Sequence, residues 1–240
     1  MDKLLAQLEG LNSTITSIVV QNGSAVSPSE VDAYIRAIQR KVKFTSVHLK
    51  ILEGAIWKDA ENLGRSLSGG TKPLSLEVNL NDAILSISHV GALTDHTYIA
   101  FDGLIAAVSN MTDTFSRLIN RVYSLKINQY QTNLLNVGKK CGSTSPLGQI
   151  LQDSQHTTWL KMIRDLRGRC QHADVEDVLV VQAGPLSCRT EPLISKDYSW
   201  ANPQVDSPLV QYAKDALGAT ELTLSAAVLA VLSAPQNPTI

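Results

Sequence analysis

The sequence predicts a mainly α protein, a helical bundle with two short β-hairpin decorations. Apolar residues recur at helical spacing over most of the chain. Three segments open with a capping residue followed by proline: Ser27-Pro28, Ser145-Pro146 and Ser207-Pro208. Strand-like runs interrupt the helical period in two places, near residues 74–90 and 178–195.

Leu4, Leu5, Leu8, Leu11 and Ile15 place a first helix over residues 2–20, and Asn22-Gly-Ser is a turn. Ser27-Pro28-Ser29-Glu30 then makes a capping box, with serine as N-cap and glutamate three positions on. The stripe Val31, Tyr34, Ile35, Ile38, Val42, Leu49, Leu52, Ile56 and Leu63 makes a long helix, stopped at Ser68-Gly69-Gly70. Its polar side carries Arg36, Arg40, Lys41, Lys43 and Lys50, read as a solvated face.

Leu74, Leu76, Val78 and Leu80 alternate with polar residues, and Ala83 to Val90 returns as a partner strand, the competing reading being that the next helix begins as early as Asn81. Thr94 and Asp95 cap the central core helix, which runs to about Leu125 on Tyr98, Phe101, Ile105, Val108, Phe115, Leu118, Ile119 and Val122. Gln129 to Thr144, with Lys139-Lys140 and two glycines, reads as a frayed helix end and a loop. Ser145-Pro146 opens a short helix, and His156-Thr157-Thr158 cap a basic helix over 158–172. Val178 to Val181 and Leu186 to Ser195 form the second hairpin across Ala183-Gly-Pro185. Residues 196–205 read as loop. Asp206-Ser207-Pro208 begins the last helix, which Gly218 is placed to break, and the tail from Pro235 reads as disordered. The simplest organisation is one domain over 1–240, with N-terminal helices 2–66, core helices 94–172 and a C-terminal hairpin and helix over 175–233.

The composition suits a globular chain with an aliphatic core: 240 residues, 44% hydrophobic, only 5% aromatic. A net charge of -1 argues against a broad surface for coating nucleic acid, so any anion site must be local. Three widely spaced cysteines, Cys141, Cys170 and Cys188, suggest neither a zinc site nor a disulfide framework. The N-terminus lacks the order of a signal peptide, and the longest apolar run, Leu222 to Leu232, is short for a membrane span. A cytoplasmic protein away from the membrane is expected. The sequence has no phosphate-binding Gly-x-x-x-x-Gly-Lys loop, no Rossmann glycines, no His-Glu-x-x-His and no Gly-x-Ser-x-Gly elbow. No metal and no cofactor is therefore expected.

Charge is concentrated in Trp159 to His172. Trp159, Leu160, Ile163 and Leu166 make an apolar stripe, while Lys161, Arg164, Arg167 and Arg169 sit mostly off it against Asp165 alone. A cationic surface rich in arginine suits phosphate, because the guanidinium presents a rigid fork of donors. The plainer reading is a solvated face whose long stems cover apolar surface. His172 falls where the helical pattern stops; there a histidine is favoured by the macrodipole and is also placed for acid/base work.

Arg167-x4-His172 resembles the Arg-x4–6-His motif of HEPN domains, helical-bundle proteins of toxin, abortive-infection and RNA-processing systems. The resemblance implies a homodimer in which two motifs face each other and form a metal-independent ribonuclease site. His172 would be the general acid/base and Arg167 the phosphate clamp, with Lys161, Arg164 and Arg169 widening the site for RNA. A further reading is a nucleotide-binding helical domain without turnover, in which the same basic helix holds the phosphates. A polar residue amid aliphatics on the core helix is also common in such bundles. Asp113 takes that place, either orienting Arg164 or Arg167 or pairing with Arg117 four residues on. Gly168 stands where the family often carries Asn, Asp or His. The competing reading is a non-catalytic helical interaction or antitoxin-like module.

Overall fold

The computed structural model describes residues 1–21, 26–68, 77–79, 84–86, 95–172, 179–184, 187–194, 197, 200, 204 and 207–233. Among these, 21, 59–68, 77–79, 84–86, 95–96, 169–172, 179–184 and 187–193 are described as backbone. The architecture is mainly helical and bundle-like. Seven α-helices are described: α1 Asp2–Gln21, α2 Pro28–Ser68, α3 Asp95–Val122, α4 Leu134–Cys141, α5 Pro146–Gln152, α6 Ser154–His172 and α7 Leu209–Ser233. A 3-10 turn spans Gln129–Gln131.

The strands are β1 Glu77–Asn79, β2 Ile84–Ser86, β3 Leu179–Gly184, β4 Ser187–Ile194 and β5 Ser207–Pro208. They do not form two separate hairpin decorations. All five are ordered consecutively in one antiparallel sheet, because β2 meets β3 at Leu85↔Ala183. Ser207-Pro208, expected to open the last helix, instead pairs with Ile194 and Leu193 at the sheet edge. Proline fits an edge strand because it has no N–H to offer a further neighbour. α7 begins at the next residue and runs through Gly218 without a break. The turn at 185–186, most of 196–205 and the tail from Pro235 lie outside the described residues.

The chain divides into two compact units. The first comprises Met1–Thr45, Ala106–Lys161 and Ala216–Ile240. It buries Leu4, Leu8, Leu11 and Ile15 of α1, Val31, Ile35, Ile38 and Val42 of α2, and Phe115, Leu118 and Ile119 of α3. Each side chain of this size stabilises the fold by about 1.5–3 kcal/mol when fully buried. Asp32 joins the first two helices, accepting from Asn12 Nδ2 at 3.2 Å while pairing with Arg36 at 2.8 Å. Ser27 caps α2 as its spacing predicts, accepting from Glu30 N at 3.2 Å.

A helix, α4, occupies part of the segment expected to be loop. Asn133 caps it by accepting from Asn136 N at 3.0 Å, and its glycine allows close packing. A methyl on Gly138 would lie 2.7 Å from Leu151 Cβ of α5. Gln152 Nε2 then donates to the Gly138 carbonyl at 2.9 Å. α5 opens at Ser145, whose hydroxyl accepts from Gly148 N at 2.9 Å.

The second unit comprises Ser46–Ile105 and Met162–Asp215. Its described core includes Leu52, Phe101, Leu104, Ile163, Leu166, Leu209 and Tyr212. Tyr212 packs at tilted angles against Trp200, 4.7 Å between centroids, and Phe101, 6.3 Å. The His48 ring lies against the backbone of Gly103, where an added methyl would come within 2.8 Å of it.

Candidate functional site

α6 starts four residues earlier than its sequence suggests. Asp153 Oδ1 accepts from Gln155 N at 2.8 Å, and the Asp153 carbonyl accepts from His156 N at 3.1 Å. The same residue ends α5 by donating its own N–H to the Gln149 carbonyl at 3.0 Å. One residue therefore caps two helices, and His156-Thr157-Thr158 fall inside the first turns of α6 rather than before it. Trp159, Leu160, Ile163 and Leu166 are buried, as their spacing implies.

Lys161, Arg164 and Asp165 are exposed on this helix. Arg167 is half-buried and engaged with a partner. The helix continues through His172. Five residues of regular helix set positions 167 and 172 about 140° apart round the axis. The side chains of Arg169 and His172 lie outside those described. Gly168 has open space around it, and an added methyl would meet nothing within 4 Å. Asp113 belongs to the first unit and Arg167 to the second. Asp113 is half-buried on α3 and has a partner of its own.

The first unit also holds a concave site that the sequence reading missed. A cavity of about 560 Å³ opens at the C-terminal end of α3, lined among others by Tyr34, Arg117, Asn120, Arg121, Lys126 and Tyr130. Its floor is a helix-ending motif. Leu125 N donates to the Asn120 carbonyl at 3.0 Å and Ser124 N to the Arg121 carbonyl at 3.2 Å. This pair of bonds requires a left-handed residue between them, a place usually filled by glycine. Here it is Ser124, with φ 51°, followed by Lys126 at φ 57°. Asn120 holds the loop from below. Its Oδ1 accepts from Ile127 N at 3.1 Å, and its Nδ2 donates to the Ile127 carbonyl at 2.9 Å. Glu30 is the carboxylate facing this end of α3, 3.9 Å from Arg121 Nε. The signal was present as Arg117 and Arg121 four apart on α3, but it pointed nowhere until the turn brought Lys126 and Tyr130 alongside.

No family model, curated protein or solved structure matches the chain. Among the described residues no group of three or more His, Cys, Asp or Glu side chains is placed to hold a metal ion.

Two buried groups in the first unit have displaced acidities. Burial pushes the Tyr123 phenol up to about 12, with the Cys141 charge adding to the effect. Burial also pushes the Cys141 thiol up to about 11, so it stays protonated at neutral pH and is a poor nucleophile. α7 is long and apolar enough to cross a membrane by length and composition, a property its sequence alone did not suggest. In the structure 56% of its most apolar window is buried within the protein. Its Thr223 hydroxyl accepts from Trp159 Nε1.

Proposed function

We propose that the chain is a HEPN-like RNA-binding protein of a cytoplasmic defence or toxin-type system, acting as a homodimer. Lys161, Arg164 and Arg169 would bind the RNA backbone, and the Arg167/His172 pairs would cut it without a metal or cofactor. The observation that carries this reading is the regular course of α6 through His172. With the two positions about 140° apart on one helix, a second copy is the simplest way to bring a histidine to a phosphate clamp.

RNA supplies its own nucleophile. One His172 would remove the 2′-hydroxyl proton as the 2′-oxygen forms its bond to phosphorus. The bond to the 5′-oxygen breaks, and the partner copy's histidine would return a proton to that leaving oxygen. Arg167 would hold the extra negative charge that develops on the phosphate oxygens.

The test is cleavage of a labelled single-stranded RNA in EDTA. Wild type should leave a 2′,3′-cyclic phosphate, and His172→Ala and Arg167→Ala should each lose most of the rate. Full cleavage by His172→Ala rejects the assignment. The second reading, a non-catalytic interaction module, draws on the engaged Arg167 and on Gly168. It expects RNA to survive intact with wild type and with Gly168→Asn alike.

A further inference from the structure

We propose that the cavity at the end of α3 is a binding site for a nucleoside polyphosphate, separate from the arginines of α6. Its volume, about 560 Å³, falls in the range of small-molecule sites, roughly 300–1,000 Å³. Among its described lining residues three are cations, Arg117, Arg121 and Lys126, and none is a carboxylate. The negative end of a helix is an unfavourable place for an anion unless its carbonyls are occupied. Here three of the last four are: the Ile119, Asn120 and Arg121 carbonyls accept from Tyr123, Leu125 and Ser124. The cations are thus not consumed in capping the helix.

Two features show that the site is preformed. Ser124 and Lys126 both sit in the left-handed region, a backbone strain that tends to be kept at functional loops. Asn120 clamps the loop in that shape through both atoms of its amide. Glu30 approaches Arg121 only at 3.9 Å, with both side chains well exposed, so a phosphate can displace it at small cost. Tyr130 is 89% exposed beside the cations. A bare aromatic face next to a phosphate site suits a base, which can stack on it. Three positive charges match a di- or triphosphate better than a monophosphate.

Isothermal titration calorimetry of the full chain with ATP, in EDTA and low salt, tests this. Wild type should bind, and Arg121→Ala and Lys126→Ala should each weaken binding about tenfold or more. Glu30→Gln removes the competing carboxylate and should tighten binding about threefold. That gain cannot come from misfolding. Tyr130→Ala should weaken ATP but leave inorganic triphosphate unchanged. No heat at millimolar ATP, or no effect of Lys126→Ala and Glu30→Gln, overturns the proposal. Inorganic triphosphate binding as tightly as ATP reduces the cavity to a simple anion site and rejects the nucleoside. A single-stranded RNA oligomer that outcompetes ATP assigns the cavity to polymer instead. His172→Ala should bind ATP as wild type does, so this proposal and the ribonuclease reading stand or fall separately.

Discussion

The indole nitrogen of Trp159 donates to Thr223 Oγ1 at 3.1 Å, and the same oxygen lies 3.1 Å from His156 Nδ1. Trp159 and Thr223 are each 1% exposed, so this hydroxyl is a buried junction between α6 and α7 in the first unit. The indole can only donate, so the threonine oxygen accepts from it, and its own proton can go to a neutral His156. Thr223→Val keeps the shape but orphans the indole N–H. It should cost about 1–3 kcal/mol in urea unfolding, while Thr223→Ser recovers most of the loss. Equal stability of Thr223→Val and wild type refutes this account.

Gly138 and Gly148 are fixed by contact rather than by backbone angle. A methyl on Gly138 meets Leu151 Cβ at 2.7 Å, and one on Gly148 collides with the Gly142 carbonyl. Gly138→Ala and Gly148→Ala should each lower stability by about 1–3 kcal/mol, as overpacking does. Gly168→Ala, with nothing in its way, should raise stability by up to about 1 kcal/mol from helix propensity. Thermal melts of the three variants distinguish sterics from propensity.

Ser124 holds a left-handed conformation without being glycine. Ser124→Gly should therefore stabilise the protein, by roughly 1 kcal/mol set by the relieved strain. A melting point that falls on this substitution contradicts the assignment of strain.

Alkaline conditions should weaken the first unit in two stages. Cys141 has its pKa raised from 9.0 to about 11 and Tyr123 from 10.0 to about 12. Both are neutral when protonated, so the folded state holds the proton more tightly than the unfolded state. Their stability contribution is complete below the unfolded values and is lost as pH rises through the folded ones. Urea midpoints should decline from about pH 9 upward, and Cys141→Ala should remove the earlier part of that decline. At neutral pH, site-resolved alkylation should find Cys141 labelled slowly, because the thiolate is the reactive form.

Helix starts were the most legible part of the sequence. Ser27-Pro28 and Ser145-Pro146 carry their caps locally, and both serines accept the bonds that their spacing demands. Ser207-Pro208 has the same local form and serves as a sheet edge, because its partners Leu193 and Ile194 are chosen by tertiary pairing. α4 was hidden for a related reason. Gly138 and Lys139-Lys140 read as loop until Leu151 is packed against the glycine. The α3 cavity was hidden because it depends on a left-handed turn at serine and lysine, residues that give no turn signal.

Asp153 is the whole connection between α5 and α6. Two helices joined by one residue behave like meshed gears. One inserted residue would turn all of α6 by about 100° and advance it by about 1.5 Å. Trp159 and Leu160 would leave the core, and the face holding Lys161 would rotate inward. Deletion and insertion scanning across 152–154 should therefore find no tolerated length change, in contrast to ordinary surface loops. The angular setting of the basic helix is written into a single shared cap.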